Sequence, residues 1–150
     1  MTKPFIHRNL PGLLLQAREA LMTKRRPALR THGLSDQQWR VLRALAHSDA
    51  TGLETGALAK ESFILGPSLT GILDRMGRDG LIERSRSEAD ARRWVVRATA
   101  KGHGLIEALS QDIEAQYLMV EAQVGKERLA ALYATLDDLI AMNEDNDAQR

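Results

Sequence analysis

The chain has 150 residues, of which 43% are apolar and 4% aromatic, and it contains no cysteine. That length suits one domain with a real core built mainly from Leu, Ile, Val and Ala. The missing thiol excludes disulfides, cysteine nucleophiles and most structural zinc sites, and it is compatible with a reducing cytoplasm. The net charge is only +1, but residues 1–74 carry 10 basic and 6 acidic groups, residues 75–103 carry 8 and 4, and residues 104–150 carry 3 and 10. A DNA-facing surface needs positive potential locally, not overall. No apolar run approaches the roughly 18–20 residues that cross a bilayer. The N-terminal stretch lacks the long apolar region and small-residue cleavage site of a secreted precursor, so a cytoplasmic, membrane-free protein is expected.

Along the chain, a first helix is expected from about residue 10 to 32, with Leu13, Leu14, Ala17, Leu21 and Met22 at helical spacing. Pro11 fits its start, and Pro27 predicts a kink or a break. Gly33 suits a C-terminal cap and Ser35 a new N-cap, followed by a capping sequence with Asp36 and two glutamines. Trp39, Leu42, Leu45 and Ala46 then supply a buried stripe. Two short helices follow at about 55–61 and 67–78, broken at Gly66, with Pro67 as first residue of the second; this is the helix-turn-helix pattern. Gly80 ends the second helix. The period then changes from 3.6 to 2: extended segments at about 81–85 and 94–98 flank a charged turn, which makes a wing. Two long helices separated by Gly125 finish the chain, one striped by Ile106, Leu109, Ile113, Tyr117, Val120 and Val124, the other by Leu129, Leu132, Leu136, Leu139 and Ile140. Their apolar stripes exceed what one wing domain can cover, so self-association is expected. NEDNDAQR reads as a frayed tail.

The fold class is therefore mainly α, a single winged helix-turn-helix domain over 1–150. Residues 35–102 form the DNA-binding part, with recognition helix 67–78 and wing 81–98, and residues 10–34 and 103–144 the dimerisation helices. Pro67 opens the recognition helix. Ser68 and Thr70 place hydroxyls where they reach phosphates or base edges, and Gly71 allows close approach. Arg75 and Arg78 are placed to hold phosphates. In the wing, Arg92 and Arg93 follow Asp90, which would repel DNA by itself and makes sense as an orienting partner for Arg92. A wing arginine is attracted into a narrow minor groove.

These pieces resemble the MarR-type transcriptional regulators over nearly the whole length. The resemblance is carried by Leu58–Ala59, LTGILDRMGRDGLIER at 69–84 and DARRWVVRATAKG at 90–102. It implies a triangular helical dimer with a wing on each subunit, and binding to a pseudo-palindromic double-stranded operator, most often as a repressor that a small ligand releases. It also implies roles for Thr70 in the recognition helix, Arg75 at a phosphate, and Asp90 with Arg92 in the wing. LLLQAREALM at 13–22, SDQQWRVLRAL at 35–45 and PSLTGILDRM at 67–76 are similar to the subgroup that regulates homoprotocatechuate (4-hydroxyphenylacetate) degradation. That similarity implies a small aromatic carboxylate as effector. Such a ligand needs an apolar slot and a cationic anchor; Trp39 offers a wall, Arg18 or Arg40 the anchor, and His32, Gln16 or Gln38 a polar contact.

An enzyme is not expected, and neither is a cofactor or a metal. His7, His32, His47 and His103 are scattered without metal-ligand spacing, there is no nucleophile elbow or phosphate-binding loop, and Asp137 and Asp138 diverge on one helix. Two other readings stay open on the residues alone: a winged domain that binds proteins without a specific operator, and a DNA regulator that senses no ligand.

Overall fold

The computed structural model describes residues 3–48 and 50–147. In chain order the elements are α1 (Leu10–Thr31), α2 (Asp36–Ala46), β1 (Leu53–Glu54), α3 (Thr55–Ser62), α4 (Gly66–Arg78), β2 (Ile82–Arg86), β3 (Trp94–Ala98), α5 (Ala100–Val124) and α6 (Lys126–Asp147). The three strands form one antiparallel sheet in the order β1-β3-β2. Compact units cover Met1–Ser110 and Gln111–Arg150, with the division inside α5.

In the first unit, α1 starts on Asn9, whose Oδ1 accepts from the Gly12 N–H at 3.1 Å. The break expected at Pro27 does not occur, because α1 passes through it. The helix interior loses roughly 3 kcal/mol to a proline. Met22 and Leu29, one on each side of Pro27, are buried, and two such side chains return roughly 1.5–3 kcal/mol each. The burial wins. The helix ends as expected at Gly33, where φ is +70°. There the Gly33 and Leu34 N–H groups bond to the Arg30 and Leu29 carbonyls, while Leu34 and Leu29 are both buried. This is the glycine-terminated helix stop in which two backbone donors satisfy the orphan carbonyls.

Helix α2 opens with a reciprocal cap: Ser35 Oγ accepts from the Gln38 N–H at 3.1 Å, and Gln38 Oε1 accepts from the Ser35 N–H at 3.0 Å. Trp39, Val41, Leu42 and Leu45 then turn inward. Helix α4 buries Leu69, Ile72, Leu73 and Met76 and stops at Gly80, at φ +73°, by the same device as α1. Leu81 therefore belongs to the helix stop, its N–H bonded to the Met76 carbonyl, and the first wing strand begins one residue later than expected, at Ile82. Gly66 is likewise helical, so Pro67 is the second residue of α4 rather than the first. Val96, Ile82 and Leu81 close the core from the sheet side.

Strand β1 was not legible. Two residues are too short for any period to show. Its position is set by Gly52, where φ is +85° and a Cβ would lie 2.3 Å from the Val96 carbonyl oxygen, so only glycine lets the chain pass β3 this closely. At the other end of the wing, Thr99 Oγ1 donates to the Gly80 carbonyl at 2.6 Å and accepts from the Gly102 N–H at 3.1 Å. That hydroxyl starts α5 at Ala100, a turn earlier than expected, and joins it to the end of α4.

In the second unit, Gly125 at φ +99° separates α5 from α6. Leu118 and Met119 of α5, and Leu132, Tyr133, Ile140 and Met142 of α6, are exposed. The fraying expected from Asn143 onward is not seen: α6 continues to Asp147, with no glycine or proline after Lys126 to stop it. The rest of that expected tail, 148–150, lies outside the described residues.

Candidate nucleic-acid interface

Helix α4 has two faces, and its solvent face is the expected one. Opposite the buried Leu69, Ile72, Leu73 and Met76, the residues Pro67, Ser68, Thr70, Arg75 and Arg78 are exposed. Thr70 Oγ1 donates to the Gly66 carbonyl at 3.3 Å, a resting position that leaves the hydroxyl able to turn to a base or phosphate. A Cβ at Gly71 would meet nothing within 4 Å, so the glycine is not there to accommodate the protein's own packing.

The same face carries one carboxylate, Asp74, which would repel phosphates. Arg84 of β2 pairs with it, its Nη1 donating to Asp74 Oδ1 at 2.8 Å. This pair joins the wing to the helix it flanks. Sequence reasoning missed it, because residues ten positions apart in different elements share no periodic signal.

The wing turn is held from inside. The Ser87 N–H bonds to the Arg93 carbonyl at 2.9 Å, and Arg86 Nη1 donates to the Ala91 carbonyl at 3.2 Å. The Arg86 guanidinium also lies over the Trp94 ring, 4.1 Å from its centroid. At the tip, Asp90 Oδ1 accepts from the Arg92 backbone N–H at 3.0 Å and from Arg92 Nε at 3.2 Å, and Oδ2 accepts from Arg92 Nη2 at 3.4 Å. The Arg92 guanidinium, followed by its backbone N–H, holds the Asp90 carboxyl below the usual carboxylate range. Asp90 thus remains an anion and acts as the orienting partner, while the Arg92 side chain stays 91% exposed. Arg93 is arranged differently. Its Nη1 donates to Glu54 Oε2 of β1 at 2.9 Å, which raises its pKa, and its Nε lies 3.6 Å from Asp90 Oδ2. Arg92 stays exposed beside Asp90; Arg93 ties the tip back to the sheet. The Glu54 partner was invisible without β1.

The four residues expected to meet an effector come together only in part. Arg18 Nη2 donates to Asp36 Oδ2 at 2.7 Å, and Arg40 Nε lies 3.5 Å from the same oxygen. Two guanidiniums thus share one carboxylate, a cluster of net charge +1. Asp36 starts α2 and meets Arg40 one turn on; the contact with Arg18 needs α1 and α2 side by side. Trp39, three residues after Asp36 on α2, is 4% exposed, and its indole Nε1 has no hydrogen-bond partner among the described residues. His32 instead forms the C-cap of α1, and no hydrogen bond or ion pair joins it to the cluster among the described residues. Gln38 is used in the α2 cap. Glu19, next to Arg18 in sequence, pairs with Arg26 at 2.9 Å.

With this geometry in view, the comparisons with known proteins converge. Residues 32–93 match the MarR family. The homoprotocatechuate degradative operon repressor of Escherichia coli is 41% identical over 137 residues, covering 91% of each chain. This protein belongs to the MarR family. The HTH-type transcriptional regulator FarR of Neisseria gonorrhoeae is 38% identical over 131 residues, covering 87% of this chain and 88% of its own. The crystal structure of NadR in complex with 4-hydroxyphenylacetate superposes with a TM-score of 0.83 at 38% identity, covering 93% of this chain and 97% of that one. Like these relatives, this MarR-family member is a DNA-binding transcriptional regulator and not an enzyme. No helix among the described residues is long and apolar enough to cross a membrane.

Proposed function

We propose that this MarR-family protein is a cytoplasmic, homodimeric repressor of an aromatic-acid catabolic operon, released from its operator by a small aromatic carboxylate. On this reading residues 1–150 are one functional domain, with α4 in the major groove, Arg92 at the minor groove, and Arg75 and Arg78 on phosphates. Homodimerisation is supported by the uncovered Leu14, Leu15 and Leu21 on α1 and, separately, by the uncovered apolar residues of α5 and α6. A second copy covers them and supplies a second recognition helix for the other half of a pseudo-palindrome.

The observation that carries the effector reading is the buried, unpartnered Trp39 N–H on α2, the helix that also carries Asp36 and Arg40 of a cluster of net positive charge. An orphaned buried donor costs roughly 1–3 kcal/mol. A ligand that brings both an aromatic ring and an oxygen acceptor relieves that cost, and its carboxylate competes with Asp36 for Arg18 or Arg40. The names of two relatives support the chemistry: one represses a homoprotocatechuate operon, and the other was crystallised with 4-hydroxyphenylacetate.

The test is a fluorescence-anisotropy titration on the DNA upstream of the protein's own gene, repeated with phenylacetates, benzoates and cinnamoyl thioesters. Tight binding that one aromatic acid abolishes supports the reading. Trp39→Phe should then bind the same DNA but need about tenfold more acid for release, the worth of one hydrogen bond to a charged group. Release at unchanged acid concentration refutes the role of the indole. Tight binding that no acid disturbs would leave a ligand-independent regulator, and binding no tighter than to random DNA would point to a protein-binding role.

A further inference from the structure

The turn between α3 and α4 breaks two local rules at once. Phe63 sits at φ +54°, in the left-handed region, the only described non-glycine residue with positive φ. A bulky side chain there costs free energy that glycine or asparagine does not. Two residues on, Leu65 occupies the N-cap of α4 and makes no side-chain cap, although Ser, Thr, Asp or Asn would satisfy a free helix N–H. Both side chains face solvent, Phe63 at 78% and Leu65 at 80% exposure, while Ile64 between them is buried. The turn is also held firmly. Arg40 Nη1 donates to the Phe63 carbonyl at 3.2 Å, and the Phe63 and Ile64 N–H groups bond to the Lys60 and Ala59 carbonyls. Two large apolar groups are thus fixed in water, at a cost to local stability, beside the exposed Pro67 and Ser68.

We propose that Phe63 and Leu65 form an apolar reading edge that packs on thymine methyl groups of the operator, making sequence preference depend on the turn as well as on α4. The proposal rests on α4 being the recognition helix, and the edge is continuous with that helix's solvent face. The C5-methyl of thymine is the apolar group that the major groove offers to such side chains. A second copy of this chain fits less well. Pressing an apolar protein surface onto this turn would also bury the uncapped N–H groups at the start of α4, which need acceptors. DNA brings phosphate and base acceptors together with the methyls.

The test uses the full-length protein and its footprinted operator, prepared once with thymine and once with deoxyuridine at the half-site thymines, a change that removes only the methyls. Wild type should lose about fourfold in affinity per methyl contacted, the worth of one buried methylene. Phe63→Gly and Phe63→Asn both tolerate the left-handed backbone and should melt no lower than wild type. Each should bind the thymine operator severalfold more weakly and respond to deoxyuridine less than wild type does; Leu65→Ala tests the second member in the same way. Unchanged affinity in the Phe63 variants overturns the proposal, as does weakened binding that keeps the full deoxyuridine response. A variant that alters sedimentation but not DNA affinity would make the pair a protein contact and also overturn it. Gly71→Ala and Arg92→Ala on the same DNA separate the two readings. If those weaken binding and the Phe63 variants do not, only this proposal fails; if none does, the assignment of α4 and the wing fails with it.

Discussion

Gly71→Ala should move stability and DNA affinity in opposite directions. Gly71 lies inside α4, and the space its Cβ would occupy is empty to 4 Å in the protein alone. Alanine is favoured over glycine in a helix interior by roughly 0.8–1.0 kcal/mol. With nothing to clash against, that gain should appear nearly whole as a rise of about 2–4 °C in Tm for a chain of this size. Both proteins must be melted at one protomer concentration, because association contributes to the apparent stability. With α4 as the proposed recognition helix, the same methyl enters the contact with DNA. Overpacking costs about 1–3 kcal/mol, which is roughly 5- to 150-fold in Kd for each subunit that makes the contact. Anisotropy titrations on the upstream DNA read this directly. A variant that melts higher and binds equally well would remove Gly71 from the approach face. One that melts lower would refute the empty-space argument itself.

Arg92→Ala should weaken specific and random DNA alike, because a groove or phosphate contact by one guanidinium carries little base code, and should lower the slope of log Kd against log salt by about 1 per subunit; an unchanged slope removes Arg92 from the DNA. The Asp90–Arg92 pairing contributes to wing order above the ordinary carboxylate pKa and is lost only as pH falls through the depressed pKa of Asp90. The Arg92→Ala defect should therefore be constant between about pH 6 and 8, since Asp90 stays ionised throughout; a defect that fades within that range would contradict the pairing. Ser35→Ala removes the acceptor for the Gln38 N–H and should cost about 1 kcal/mol while leaving Kd for DNA unchanged, as checked by melting and titration together.

The pieces that depend on neighbours in sequence are legible in the sequence. Ser35 with Gln38, Gly33 and Gly80 as helix stops, the inward face of Leu69, Ile72, Leu73 and Met76, and Asp90 with Arg92 all follow from backbone hydrogen bonding and side-chain period within a few residues. The family resemblance drew on those same local strings. Pro27 marks where local rules fail: the helix persists because Met22 and Leu29 are buried on either side of it, and burial is a property of the packed chain.

The sequence by itself determined the order of elements, the two faces of α4 and the composition of the wing tip, because capping, helix termination and periodicity act over a turn or two of chain. Only the tertiary structure decided which charges meet. Arg18 reaches Asp36 from α1, Arg84 pairs with Asp74, and Arg93 turns to Glu54 while Arg92 stays exposed beside Asp90. Arg18 with Asp36, Arg84 with Asp74 and Arg93 with Glu54 each join residues far apart along the chain, and Coulomb and hydrogen-bond energies depend on separation in space over a few ångströms. No spacing along the chain encodes that separation until the helices and the sheet have packed.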